Sequence, residues 1–367
     1  VNKVIVLGLL ASLAVSGPAL AQAAKKPATA SAYKAPRNSM GQPEFSGAWS
    51  NVSLTPQSRS PLFGTRATFN EAEVKFLEGD QDEKLAKGNA PTDVNAGAVG
   101  TEGNVGAYDR GWVDNGAKVM RVRGEARSSM ITTPDGQPPL RKGSPARTLP
   151  ADAGTAEAGM RAVRESAARD MFEGQGSPAA GRGDADNPEA RALGERCIIG
   201  FGRNAGPPMF PNGWYNNNYN IVQSRNAVVI EVEMVHDARI VRLNDKHRTD
   251  GLRPYFGDSI GWYEGDTLVV ETTNIPQRQA YNGAWENLKV TERFTRVAGD
   301  RLHYAFTLDD PTVWDKPWGG EYEMAALGGR LHEYACHEGN YGMTNILAGA
   351  RQAEKENAGQ RAAAGTQ

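Results

Sequence analysis

The stretch YFGDSIGWYEGDTLVVETTNI, residues 255–275, decides how the chain is read. Glu264-Gly265-Asp266 is a turn signal, because Gly265 accepts positive φ without a Cβ clash, and Leu268, Val269 and Val270 supply the apolar, β-branched run of a strand. The same stretch holds a G-x-S-x-G pattern at 257–261, and Ser259, Asp309 or Asp310, and His337 follow in the chain order of an α/β-hydrolase triad. That elbow needs a strand, a sharp turn and then a helix. Here Gly261-Trp262-Tyr263 and a hairpin follow instead, so Ser259 reads as part of a glycine-rich bend before a strand.

Outward from this stretch the pattern stays β. Short strands are expected at 221–223, 228–235, 239–243, 268–273, 288–295, 302–308 and 330–336, separated by polar turns. No helical pattern long enough for a parallel crossover lies between them. The fold expected is mainly β: an antiparallel β-barrel of lipocalin or calycin type, or a sandwich, with a few peripheral helices. The main domain is placed at 191–357, closed by a helix at 343–356 and followed by a tail at 358–367.

Upstream, residues 1–21 have the plan of a Sec-type signal peptide: Lys3, an apolar run at 4–15, and a small-x-small site before Gln22. A disordered lead-in is expected at 22–42. Residues 43–140 form an N-terminal part of the β domain, with Phe45 and Trp49 as core anchors and a helix at 71–87 capped by Asn70. A hairpin is expected within 112–133 around Asp114-Asn115-Gly116, its second strand stopped by Pro134-Asp135-Gly136. The Ala-, Gly- and Arg-rich segment 141–190 is a low-complexity insert, with a surface helix at 156–172 or a lid over a site.

A net charge of −2 and a pI near 6.3 give no global field for nucleic acid or anionic lipid. No stretch reaches the roughly 18 apolar residues of a membrane span, so no membrane insertion is expected. The two cysteines, Cys197 and Cys336, are read as a disulfide in an oxidising compartment, with buried free thiols as the alternative. Together with the leader this places the protein in the periplasm or outside the cell.

Alternation sets Glu292 on one face with Leu288, Val290 and Phe294, where a carboxylate is costly without a partner. Glu271 lies similarly with Val269, and Tyr304 with Leu302, Phe306 and Leu308. An enzyme of this design uses His337 as general base, Glu292 or Glu271 as acid or orienting carboxylate, and Tyr304 as proton donor or oxyanion contact. Trp262, Trp214, Tyr219, Arg239 and Trp318 are candidate substrate contacts. The structural alternative pairs Glu292 or Glu271 with Arg293, Arg296 or Arg239. The five histidines, His236, His247, His303, His332 and His337, form no metal-binding motif, and no dinucleotide or P-loop fingerprint is present, so neither metal nor organic cofactor is expected.

The segments ERC at 195–197, GDSIGWYEGDTLVVETTN at 257–274, ERFTR at 292–296, DDPTVWDKPW at 309–318 and EYACHEGNYGMTNIL at 333–347 belong together. With FSGAWS near Phe45 and ITTPDGQPP near Ile131, this set resembles a family of secreted bacterial proteins with no assigned activity. The resemblance implies a secreted β domain and brings no catalytic residue. The functions open at this point are a cofactor-independent hydrolase, lyase or isomerase acting on a small apolar or aromatic compound, a lipocalin-like carrier of a hydrophobic ligand, and an envelope interaction protein.

Overall fold

The computed structural model describes residues 33–88, 116–144, 185–200, 205–211 and 218–364. The expected leader, the helix at 156–172, Trp214 and the Asp114-Asn115 turn all lie outside them. The first strand is β1 (Gly47–Ser50), and a small separate hairpin joins β2 (Arg121–Val122) to β3 (Glu125–Ala126). Then come β4 (Tyr219–Gln223), β5 (Ala227–Val232), β6 (Ala238–Leu243), β7 (Asp258–Glu264) and β8 (Thr267–Thr273). The series ends with β9 (Lys289–Ala298), β10 (Arg301–Asp309) and β11 (Trp318–Ala326).

All but β2 and β3 close into one barrel, in the order β1-β11-β10-β9-β8-β7-β6-β5-β4. The barrel form of the expected fold is the one adopted. A ring whose neighbours all run antiparallel needs an even number of strands, so nine strands force one parallel pair. That pair is β6 and β7, joined by the crossover 244–257 rather than a tight turn. Asp258, at its far end, ties the crossover down by accepting from Arg242 Nη1 at 2.6 Å and the Arg248 amide at 2.8 Å.

Alternation decides what fills the barrel. Val290, Glu292 and Phe294 of β9 and Leu302, Tyr304, Phe306 and Leu308 of β10 face inward, with Tyr304 opposite Phe294 and also opposite Tyr322 of β11. The rings of Tyr304 and Phe306 are 6.0 Å apart, Phe306 meets Phe210 at 5.1 Å, Tyr281 meets Trp318 at 5.8 Å and Trp318 meets Trp314 at 5.4 Å. This aromatic column fills the end of the barrel where β9 and β11 begin. Gly320 faces it: a Cβ there would stand 2.5 Å from the Met130 carbonyl and 2.7 Å from the Phe306 ring. β1 is short, and beyond it Ile131 bridges to Gly320 of β11.

The helix α1 (Glu71–Gly88) begins as expected with a capping box: Asn70 Oδ1 accepts the Glu73 amide and Glu73 accepts the Asn70 amide, both at 2.9 Å. Several expectations need correction. The hairpin in the N-terminal part turns at Arg123-Gly124, where both residues take positive φ, the geometry of a two-residue hairpin turn. Residues 33–42 are not a disordered lead-in: Ala35 is buried, and Arg37 pairs with Asp266 on the β7–β8 turn. Ser259 stands inside strand β7, its hydroxyl 2.8 Å from Thr272 Oγ1. Residues 330–336 form no strand, because the closed barrel leaves no edge to pair with. The second helix, α2, runs Tyr341–Ala364 and takes in most of the expected tail.

Cys197 and Cys336 form the expected disulfide, across a sequence separation of 139 residues. Closing a loop of that length is worth about 5 kcal/mol in the chain-entropy model. Asn340 Nδ2 reinforces the link by donating to the Glu195 carbonyl at 2.7 Å. Among the described residues no helix is long and apolar enough to cross a membrane.

Candidate functional site

The inward face of β9 carries one carboxylate, Glu292, and that of β6 one guanidinium, Arg239; both side chains are essentially inaccessible to solvent. They meet as a fork, Arg239 Nη2 donating to Glu292 Oε1 at 2.8 Å and Nη1 to Oε2. Tyr304 of β10 donates its phenol hydrogen to the same Oε1 at 2.8 Å. The Tyr304 oxygen in turn accepts the backbone amide of Met209 at 2.9 Å.

The other side of Met209 is held in the same manner. Its carbonyl accepts from the Tyr322 hydroxyl at 2.9 Å. Asn51, just past β1, donates from Nδ2 to Tyr322 Oη at 3.3 Å and to Tyr219 Oη at 3.2 Å. A continuous hydrogen-bonded chain therefore crosses the barrel, from Tyr219 on β4 through Asn51, Tyr322, the Met209 peptide groups, Tyr304 and Glu292 to Arg239 on β6. Arg239 Nε is buried and has no partner among the described residues.

Burial sets the protonation of this chain. It pushes the phenols of Tyr304 and Tyr322 well above their ordinary value, the first further raised by the Glu292 carboxylate and the second by Tyr219, and it raises Tyr219 as well. Burial pulls the Arg239 guanidinium down, but the charge of Glu292 outweighs it and leaves the group above its ordinary value. The phenols are therefore neutral, one presenting an acceptor and the other a donor toward the axis. Glu292 accepts three hydrogen bonds, two from Arg239 and one from Tyr304, and so orients both neighbours.

The barrel brings four sequence candidates together: Glu292, Tyr304, Arg239 and Tyr219. It leaves the others elsewhere. His337 lies on an exposed turn before α2, outside the barrel, so it does not converge with Glu292. The strand expected at 330–336 just before it does not form, so His337 shares no barrel face with Glu292. Glu271 points to the outer wall, 3.2 Å from His247 Nε2 and 3.7 Å from Lys289 Nζ. Trp262 is on the outer wall too, donating to Glu264 at 3.0 Å. Trp318 is buried in the aromatic column next to Trp314, where it acts as packing. Asn51, Tyr322 and Met209 were not anticipated; Tyr322 alternates with Met324 and carried a usable signal, whereas Asn51 and Met209 sit in irregular segments without one.

A second polar cluster lies on the outer wall. His247 Nδ1 is 3.0 Å from Asp258, and its other nitrogen reaches Glu271. Burial pushes the Asp258 carboxyl up, but Arg242, the Arg248 amide and His247 together hold it below the usual range. Both imidazole nitrogens are engaged, so the cluster ties the crossover to β8. No group of three or more potential ligands is placed to hold a metal ion among the described residues. Set beside known proteins, the chain matches no family model, no curated protein and no solved structure.

Proposed function

We propose that the protein is a secreted, lipocalin-like binding protein that holds a small, largely apolar or aromatic compound in the heart of its barrel. The single observation that carries this is the buried chain through Arg239, Glu292, Tyr304 and Tyr322. A buried ion pair is weak evidence for stability, since apolar residues of similar volume often do as well or better. A barrel that had only to stand could be filled like its aromatic end. The polar chain instead sets the Tyr304 acceptor and the Tyr322 donor, both engaged by the Met209 peptide groups, among apolar and aromatic walls, the usual composition of a small-molecule site. Acid–base catalysis is less well supported, because His337 is remote from Glu292, whose two oxygens already accept from Arg239 and Tyr304. Secretion is supported by the leader-like residues 1–21 and by the disulfide.

The test is native mass spectrometry of the full chain purified from its secreted fraction, beside the double variant Arg239→Met/Glu292→Leu. The expected result is a small molecule retained by the wild type and lost from a double variant whose stability is close to that of the wild type. A wild type that retains nothing, from any growth condition or compound library, overturns the carrier. So does a double variant that keeps the ligand.

A further inference from the structure

The parallel seam between β6 and β7 is short, with three residue pairs in register against seven between β7 and β8. On the crossover that joins its two strands stands His247, its side chain 22% exposed. Nδ1 lies 3.0 Å from Asp258 Oδ2 at the start of β7, and Nε2 lies 3.2 Å from Glu271 Oε1 on β8. One ring therefore bridges the crossover to two strands.

Both partners are carboxylates, and an ionised carboxylate only accepts, whereas a neutral imidazole has one N–H and one bare lone pair. Both contacts are hydrogen bonds only when the ring carries two protons. With one proton, a lone pair faces one of the carboxylates, and that arm turns from attractive to repulsive. Asp258 keeps its charge as the ring titrates: burial pushes its carboxyl up, but Arg242, the Arg248 amide and His247 hold it below the usual range. The other charges around the ring are paired. Arg242 also donates to Asp245 at 2.6 Å and to the carbonyl of exposed Lys246 at 2.7 Å. Arg248 pairs with Asp250, and Lys289 Nζ on β9 stands 3.7 Å from Glu271. Of these side-chain types, histidine is the one whose ordinary charge change falls between about pH 5 and 8.

We propose that His247 is a proton-operated clasp on the barrel wall: as an imidazolium it fastens the crossover 244–257 to β7 and β8 together, and on losing a proton it releases one of them. The clasp is closed in acid and loosens as the pH rises through the histidine range. The Arg248 amide stays on Asp258 in both states, so the change is a local opening of the crossover and not an unfolding of the barrel.

The test is hydrogen–deuterium exchange of the full chain at pH 5, 7 and 9, corrected for the intrinsic pH dependence of exchange, beside His247→Gln and His247→Arg. In the wild type, protection of residues 244–257 relative to the β9 and β10 amides should fall by about fivefold from acid to alkaline pH. His247→Gln has no charge to lose and should sit near the alkaline wild-type level throughout. His247→Arg stays charged and should show no fall. A flat wild-type profile overturns the clasp even if neither variant folds. A fall that survives in His247→Gln does the same, because the proton then belongs to another group. Nitrogen-15 spectra of the histidine-labelled wild type, with the His247 signals identified by their loss in His247→Gln, give a second readout. Two protonated ring nitrogens are expected at pH 5 and one at pH 9, and a ring whose protonation does not change across that range removes the clasp.

Discussion

Glu271 and Glu292 are near neighbours on adjacent strands, since Glu292 of β9 is opposite Val270 of β8, yet they live in different physical worlds. Each is paired with cationic or imidazole partners. Glu292 is inside, fully buried, with both oxygens held by Arg239 and Tyr304. Glu271 is outside, about a quarter exposed, touching His247 and Lys289. The difference of one residue in strand parity sends one carboxylate to a low-dielectric core and the other to water. The same charge is therefore a high-stakes group at 292 and a minor one at 271.

The largest effect should come from unbalancing the inner pair. Glu292→Ala strands a buried guanidinium, and urea unfolding should register a loss of about 3–5 kcal/mol. Removing both charges with Arg239→Met/Glu292→Leu should restore most or all of it. If the double variant is as unstable as the single one, the pair is a structural keystone, and the contrast with an apolar filling fails. Next comes Tyr304→Phe, which leaves the Met209 amide without its acceptor and Glu292 without one donor. A loss of about 1–3 kcal/mol is expected in the same measurement, together with faster hydrogen exchange at Met209. An unaltered Met209 amide would mean that Tyr304 does not hold the segment.

The contrast also shows what the amino-acid pattern reveals. Period-two alternation in NLKVTERF and LHYAFTL was enough to put Glu292 and Tyr304 on inward faces, because both strands are long and flanked by apolar residues. The same rule put Glu271 on the face of Val269, but alternation cannot say which face is inside. Val269 is buried although it points outward, since Trp262 lies opposite it on β7. The strand expected at 330–336, just before His337, does not form, because the closed barrel offers it no neighbouring strand. β11 was missed because Gly319-Gly320 reads as a loop, whereas close approach of Met130 and Phe306 demands the glycine. The parallel pair was hidden as well, since its crossover carries no helix to announce it. Asn51 and Met209 reach the site from irregular segments, where no periodicity operates.

Asp237 offers an intermediate case between the two glutamates. It is partly buried at the β5–β6 turn and accepts the Gly200 amide at 3.3 Å, close to the disulfide at Cys197. Burial pushes its carboxyl up to about 6, the Gly200 amide and His236 opposing this only in part. A folded value above the unfolded one means that its contribution to stability is fully present below about pH 4 and is lost as pH rises through about 6. Asp237→Asn should therefore gain stability relative to the wild type across that window, with the two converging at low pH. Unfolding midpoints measured from pH 3.5 to 8 check this, and parallel curves would place Asp237 in water.

The smallest effect belongs to the outer carboxylate. Glu271→Gln keeps the shape and an acceptor for His247, and it removes a charge that solvent and salt already screen. A change of less than about 1 kcal/mol is expected at neutral pH, shrinking further when the same unfolding curves are run in molar salt. Ligand retention should be untouched, because the side chain is on the far side of the wall from Tyr304 and Tyr322. A cost for Glu271→Gln comparable to that of Glu292→Ala would show that the crossover 244–257 depends on the His247 bridge far more than its exposure suggests. The barrel's weak point would then lie at its one parallel seam, and not in its polar core.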